Sequence, residues 1–203
     1  MAIGTDEDAR FDYVVVGAGT AGCLLADRLS ATGASVCVLE AGGRDWSPLI
    51  HLPVGYVWNV HSRRLTWDYA VEPGPVVNRR FRLPQGKVLG GSSSINGLSH
   101  VRGQRQDYDD WAAAGNPGWS YLEILPYFMR SERKIGVGDD RFRGRSGSLH
   151  ITDQDWSHPI CDAFVNGLSE LGIPLTDDYN GMVHTGGGYL QRAIHNGRRC
   201  SSA

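Results

Sequence analysis

The chain has 203 residues, and 27 of them are glycine, about twice what average usage near 7% would supply. Apolar residues still make up 41%, which excludes a low-complexity or disordered chain. A formal charge of -2, from 20 basic and 22 acidic residues, argues against a general nucleic-acid binder, since such proteins concentrate basic excess.

The start, Met1 to Arg10, carries Asp6, Glu7 and Asp8 and no apolar core, so it does not read as a secretory signal. No run of about 18 apolar residues follows, so no spanning helix is expected, while peripheral attachment to a membrane stays open. The predicted location is the cytoplasm, the periphery of the inner membrane included. Cys23, Cys37, Cys161 and Cys200 show neither the C-x-x-C spacing of a zinc site nor the density of a disulfide scaffold, and a reducing compartment fits them.

Tyr13-Val14-Val15-Val16 reads as a strand of a buried parallel sheet. Leu24, Leu25 and Leu29 fall at helical spacing between Thr20 and Ser30, and Gly33 supplies a stop. Ser35 to Leu39 is a second strand, completing a βαβ unit. From Gly42 to Gln85 the pattern breaks into pieces bearing Trp and Pro, which reads as an extended surface excursion. Asp107 to Ala114 predicts a short helix. Ser120 and Glu123 form a capping box for the next, which Pro126 should kink or restart. Leu149 and Ile151 alternate as a half-buried strand, and Pro159 opens a helix whose core face is Ile160, Phe164, Leu168 and Leu171, closed by Gly172 and Pro174. Tyr189 to His195 predicts a strand, with Asn196-Gly197 as a turn.

Gly17-Ala18-Gly19-Thr20-Ala21-Gly22 matches G-x-G-x-x-G between strand and helix. The first glycine permits the tight turn, the second lets the backbone approach a pyrophosphate, and the third lets helix and strand pack closely. Unpaired N–H groups at the helix start then meet negative charge. Glu40 ends the second strand, where its carboxylate can accept from an adenosine ribose and repel a 2′-phosphate, so NADP is disfavoured. FAD and NAD both present an ADP half, and this unit alone leaves them open.

A second cluster runs from Gly86 to Gly97, GKVLGGSSSING. Its N–H groups and hydroxyls can form a nest around an anionic or planar ligand. Val88, Leu89 and Ile95 anchor it, which argues against a flexible linker, and the G-x-S-x-G of a hydrolase elbow is absent.

These two clusters, with Leu39-Glu40-Ala41-Gly42, Arg102-Gly103, Asp107-Tyr108-Asp109 and Trp111, resemble the glucose-methanol-choline (GMC) flavoenzymes. Asn116 to Tyr121, Leu125 to Phe128 and His195 to Ser201 resemble the branch of choline and alkanol dehydrogenases. The resemblance runs from Phe11 to the last residue. It implies an α/β fold: an incomplete Rossmann-like FAD-binding βαβ unit joined to the beginning of an α+β substrate-binding domain. Residues 11–150 would be the N-terminal part of the FAD-binding domain, and 151–203 the start of the substrate domain.

The resemblance further implies oxidation of an alcohol, with hydride passing to FAD and electrons onward to a quinone or oxygen. The ADP half would lie on Gly17, Gly19, Thr20, Ala21, Gly22, Glu40 and Ala41. The flavin end would lie near Val88, Gly90, Gly91, Ser92, Asn96, Gly97, Leu98 and Ser99. Some relatives bind flavin covalently through a histidine in the second loop; Ile95 holds the matching position here, so the FAD is expected to be dissociable. His100 stands where relatives often carry an aromatic residue, a departure that bears on packing near the isoalloxazine. No catalytic residue is assigned within the chain, because the family's histidine base comes from a later part of the polypeptide. No metal site is expected. A silent FAD-binding fragment and an NAD-dependent dehydrogenase are the alternatives.

Among the remaining polar groups, His51, His61, His150, His158 and His184 read as surface or core residues. Arg79, Arg80 and Arg82, and Arg141, Arg143 and Arg145, read as solvated faces. Trp58, Trp67, Tyr69 and Trp119 read as flavin shield or core packing.

Overall fold

The computed structural model describes residues 9–76 and 78–203. The acidic start, Met1 to Asp8, lies outside the described residues, as does Val77. Two compact units emerge: residues up to Gly97 with the returning Ser201–Ala203, and Leu98–Cys200. This line of contact is drawn elsewhere than the 150/151 boundary, which divides the chain by expected role.

In the first unit, strand β1 (Tyr13–Val16) leads into helix α1 (Thr20–Ser30) and strand β2 (Val36–Leu39), and the strands pair in parallel with Tyr13 opposite Val36. Ser35 N–H and Oγ–H both donate to Asp12 Oδ2, at 2.8 and 2.7 Å, and these bonds hold the Asp12 carboxyl below its usual range. The clasp fixes where the strands begin. Short helices α2 (Pro48–His51) and α3 (Tyr56–Asn59) flank a 3₁₀ turn at Pro53–Gly55. Strand β3 (Thr66–Val71) then pairs antiparallel with β4 (Phe81–Gly86).

The predicted surface excursion therefore contains a regular two-stranded pairing, which the interleaved tryptophans and prolines conceal. Ile50, Val88 and Ile95 form the core of this unit, with Leu65 packed against it. The β1–β2 pair is not buried as its sequence predicts: Val16 is 83% exposed, and Val14, Val38 and Leu39 also face outward.

The second unit contains α4 (Arg105–Ala113) and α5 (Tyr121–Ser131), each opened by a capping box, Gln104 with Asp107 and Ser120 with Glu123. Helix α5 runs through Pro126 as one element, without the expected restart. Strands β5 (Glu132–Lys134) and β6 (Leu149–Ile151) pair in parallel. Helix α6 (Pro159–Glu170) follows, and the hairpin of β7 (Ile194–His195) and β8 (Arg198–Arg199) closes the unit. Asn196 and Gly197 both have positive φ, 50° and 72°, as a two-residue type I′ turn requires. The predicted strand from Tyr189 shrinks to its last two residues, with Arg192 bridging to Ser99 and Thr152.

Two sequence readings fail in this unit. Ile160, Phe164 and Leu171, expected in the core, are 72%, 67% and 79% exposed, and Leu168 alone of that face packs inward, beside Gly187. Arg143, expected on a solvated face, is fully buried. Its Nε donates to Glu132 Oε1 at 2.7 Å, and its Nη1 to Asp178 Oδ1 at 2.5 Å and Gln191 Oε1 at 2.6 Å. Arg102 Nη2 reaches the other Glu132 oxygen at 2.8 Å, and His100 Nε2 lies 3.3 Å from it. Asn180 ties the cluster to the backbone, accepting from Arg102 N–H and donating to the His100 carbonyl. Burial raises the Glu132 carboxyl, but the hydrogen bonds from His100 and Arg143 and the charges of Arg102 and Arg143 outweigh it and hold the group at about 2.

Candidate functional site

The two glycine clusters, some seventy positions apart in sequence, meet backbone to backbone within the first unit. Gly90 N–H donates to the Ala18 carbonyl at 2.7 Å, Leu89 N–H donates to Gly43 at 3.0 Å, and Gly43 bridges Val88 in parallel. At Gly91 an added Cβ would lie 2.8 Å from Gly19 Cα, so a side chain there would push the loops apart. Such contact is available only to residues without a Cβ.

The first cluster forms a turn open on one side. Gly17 has φ +95° and no neighbouring atom within 4 Å of its missing Cβ, and nothing stands closer to that of Gly19 than Gly91 Cα at 4.0 Å. Gly22 is the opposite case: a Cβ there would sit 1.9 Å from the Gly17 carbonyl oxygen, so helix and strand approach only because it is glycine. Gly19 is the N-cap of α1 and offers no side-chain oxygen, which leaves the first-turn N–H groups without a side-chain acceptor. Thr20 and Ala21 are exposed at that turn. The positive end of α1 thus faces open space, which suits an anionic group.

Glu40 is half-buried beside this turn. Its Oε2 accepts from Ala18 N–H at 2.8 Å and its Oε1 from Gly42 N–H at 2.7 Å. Each carboxylate oxygen keeps acceptor capacity for a further donor. The open glycine turn, the uncapped helix start and this carboxylate together fit the ADP half of a dinucleotide. Ala41 follows, exposed.

In the second loop Gly90 takes the left-handed φ of +85° and Gly91–Ser94 form a 3₁₀ turn. The Val88 and Ile95 side chains point into the core, so only the backbone of Val88 is available to a ligand, and no nucleophile stands at position 95. Ser92 Oγ is engaged internally, accepting from Gly86 N–H and donating to Gln85. Asn96 and Gly97 are exposed, with Gly97 beside the Tyr56 ring.

Leu98 and Ser99 belong to the second unit. Leu98 is buried with φ +70°, and its carbonyl accepts from Ala193 N–H. His100, whose place in the sequence suggested packing near a flavin, engages Glu132 and Gln191. Trp58 and Trp119 are more than half exposed, and Trp67 stacks on Tyr69 at 6.3 Å beneath the Lys87 ammonium, so none of the four rings is core.

Two features escaped sequence reasoning. His150 and His195 stack at 4.2 Å; burial, then the charges of His195 and Arg133, lower the His150 pKa. Their separation of 45 positions gives no signal. Ser201–Ala203 returns to the second glycine loop, a closure that only the backbone course reveals. Among the described residues no group of three or more His, Cys, Asp or Glu could hold a metal, and no helix is long and apolar enough to cross a membrane. The four cysteines are free thiols.

The chain is 44% identical over 194 residues to an oxygen-dependent choline dehydrogenase of Rhizobium etli, a match covering 95% of this chain and 35% of that protein. The same enzyme from Sinorhizobium fredii matches equally, so the chain spans about a third of the length of these curated relatives. Among solved structures, pyridoxine 4-oxidase from Mesorbium loti superposes with a TM-score of 0.87 at 32% identity, over 95% of this chain and 38% of that one. An FAD-dependent oxidoreductase from Chaetomium thermophilum gives 0.83 at 29% identity, over 95% and 35%. The pattern describing GMC oxidoreductases matches residues 11–203. The chain belongs to the GMC oxidoreductase family, whose members include FAD-dependent enzymes acting on alcohols.

Proposed function

We propose that this chain is the FAD-binding N-terminal part of an alcohol-oxidising GMC oxidoreductase, with a Rossmann-like βαβ unit as its dinucleotide cradle. The reading rests on the backbone docking of the second glycine loop onto the first, beside an open glycine turn. The N–H groups at the start of α1 would hold the pyrophosphate, and Glu40 the ribose hydroxyls. The same carboxylate would repel a 2′-phosphate. The backbone of Val88, Gly90 and Gly91, with Asn96 and Gly97, would line the flavin end, Leu98 and Ser99 following it.

When bound, FAD supplies the acceptor for hydride leaving a CH–OH donor. The chain's own part is to bind and orient that group; the base that takes the hydroxyl proton, a histidine matched to working pH, is assigned to no residue here. The Ile95 side chain in the core favours dissociable FAD. The names of the relatives favour choline or a similar primary alcohol as substrate and oxygen as acceptor, with a quinone as the alternative acceptor. A quinone acceptor would bring the protein to the membrane periphery.

A second reading, a catalytically silent FAD-binding piece, is favoured by the outward apolar side chains of β1 and β2. FAD titration of the purified protein, followed by choline under anaerobic conditions, separates the two. Bound flavin that bleaches supports the enzyme, bound flavin that stays oxidised supports the silent piece, and absence of binding sinks both.

A further inference from the structure

We propose that Ser202, acting through Ser93, is a positioning residue that sets the second glycine loop against the first; the proposal rests on the reading of these loops as the FAD cradle. Ser93 Oγ donates its one proton to the Gly90 carbonyl at 2.6 Å. Its two lone pairs then receive Ser202 N–H at 3.0 Å and Ser202 Oγ–H at 2.9 Å, and Ser202 Oγ also lies 3.3 Å from the Gly90 carbonyl. Ala203 stands behind, 3.1 Å from where a Gly90 Cβ would be.

Gly90 is therefore held from opposite ends. Its N–H is fixed to Ala18 in the first glycine turn, and its carbonyl to the Ser93–Ser202 pair. The left-handed Gly90 and Gly91 are the residues that set the spacing between the loops, and a glycine backbone is the least able to keep one conformation unaided. The Ser93–Ser202 pair supplies that constraint. Neither hydroxyl needs to touch the ligand.

The test is FAD affinity by fluorescence titration, with the visible spectrum of the bound flavin, for Ser202→Ala, Ser93→Ala, the double variant and Ser202→Thr. Ser202→Ala keeps its N–H bond and should weaken binding roughly three- to tenfold, the size of one or two net hydrogen bonds. Ser93→Ala removes the junction and should do more, the double variant should be no worse than Ser93→Ala, and threonine at 202 should restore affinity. The Ser202→Ala flavin band should also shift, with the melting of the flavin-free protein lowered by no more than the few degrees that one or two hydrogen bonds are worth. Wild-type affinity and spectrum in Ser202→Ala would overturn the proposal, as would a weakened affinity that follows lowered melting with no spectral change. A wild-type protein that binds no FAD would fail the reading of the cradle instead.

Discussion

Replacing Glu132 with glutamine tests whether the charged centre of the second unit stabilises the fold. The native carboxyl sits at about 2 against an ordinary 4.5, a difference of roughly 2.5 pH units, or about 3 kcal/mol at 1.36 kcal/mol each. Because the folded pKa is the lower one, this stabilisation is complete above pH 4.5, falls to about half near pH 3 and vanishes below pH 2. Glutamine mimics the protonated group and leaves Arg102 and Arg143 buried without their shared countercharge, a loss of roughly 3–5 kcal/mol for broken buried pairs.

Urea unfolding at pH 7, followed by tryptophan fluorescence, should therefore show the variant less stable by about 3 kcal/mol, a midpoint lowered by roughly 1–3 M. The gap between wild type and variant should narrow on acidification. Other carboxyls held low, such as Asp12 and Asp139, are common to both proteins and cancel. An unchanged midpoint at pH 7, or a gap as wide at pH 3 as at pH 7, would refute the reasoning.

Gly22→Ala forces a methyl to within 1.9 Å of the Gly17 carbonyl oxygen unless α1 shifts, so FAD titration should show affinity reduced more than about tenfold. Glu40→Gln presents an N–H₂ group to either Ala18 N–H or Gly42 N–H, a donor against a donor, and the same titration should again show a loss of about tenfold or more. Ser120→Ala removes one half of the α5 capping box and should cost about 1 kcal/mol, read as a melting point lower by roughly 2–4 °C with FAD affinity unchanged.

The opening strand, helix and strand were legible because each carries its own local signal: a β-branched run, leucines at helical spacing and glycines at the ends. The capping box at Ser120 and the turn at Asn196-Gly197 were legible for the same reason. What sequence could not supply were partners. The β3–β4 pairing joins Val71 to Phe81 and Thr66 to Gly86, with Pro84 inside a strand, and no local period reveals it. Arg143 sits in a run of alternating arginines that resembles a solvated face, yet its countercharges lie 11 and 35 positions away. For α6 the apolar stripe was correct as chemistry and wrong as location: it says which face dislikes water, not whether anything covers it. In the candidate site the glycine spacing was readable, but the contact between the clusters depends on close backbone approach, which only the fold shows.

That contact is made by main-chain atoms, and a main chain has the same chemistry whatever side chains it bears. The cradle is thus specified by length more than by lettering. Outside the glycines many side chains could change without disturbing the bonds from Gly90 to Ala18 and from Leu89 to Gly43. One residue inserted between Gln85 and Leu89 would move every one of those donors out of register at once, and would be felt more than most substitutions in the same stretch.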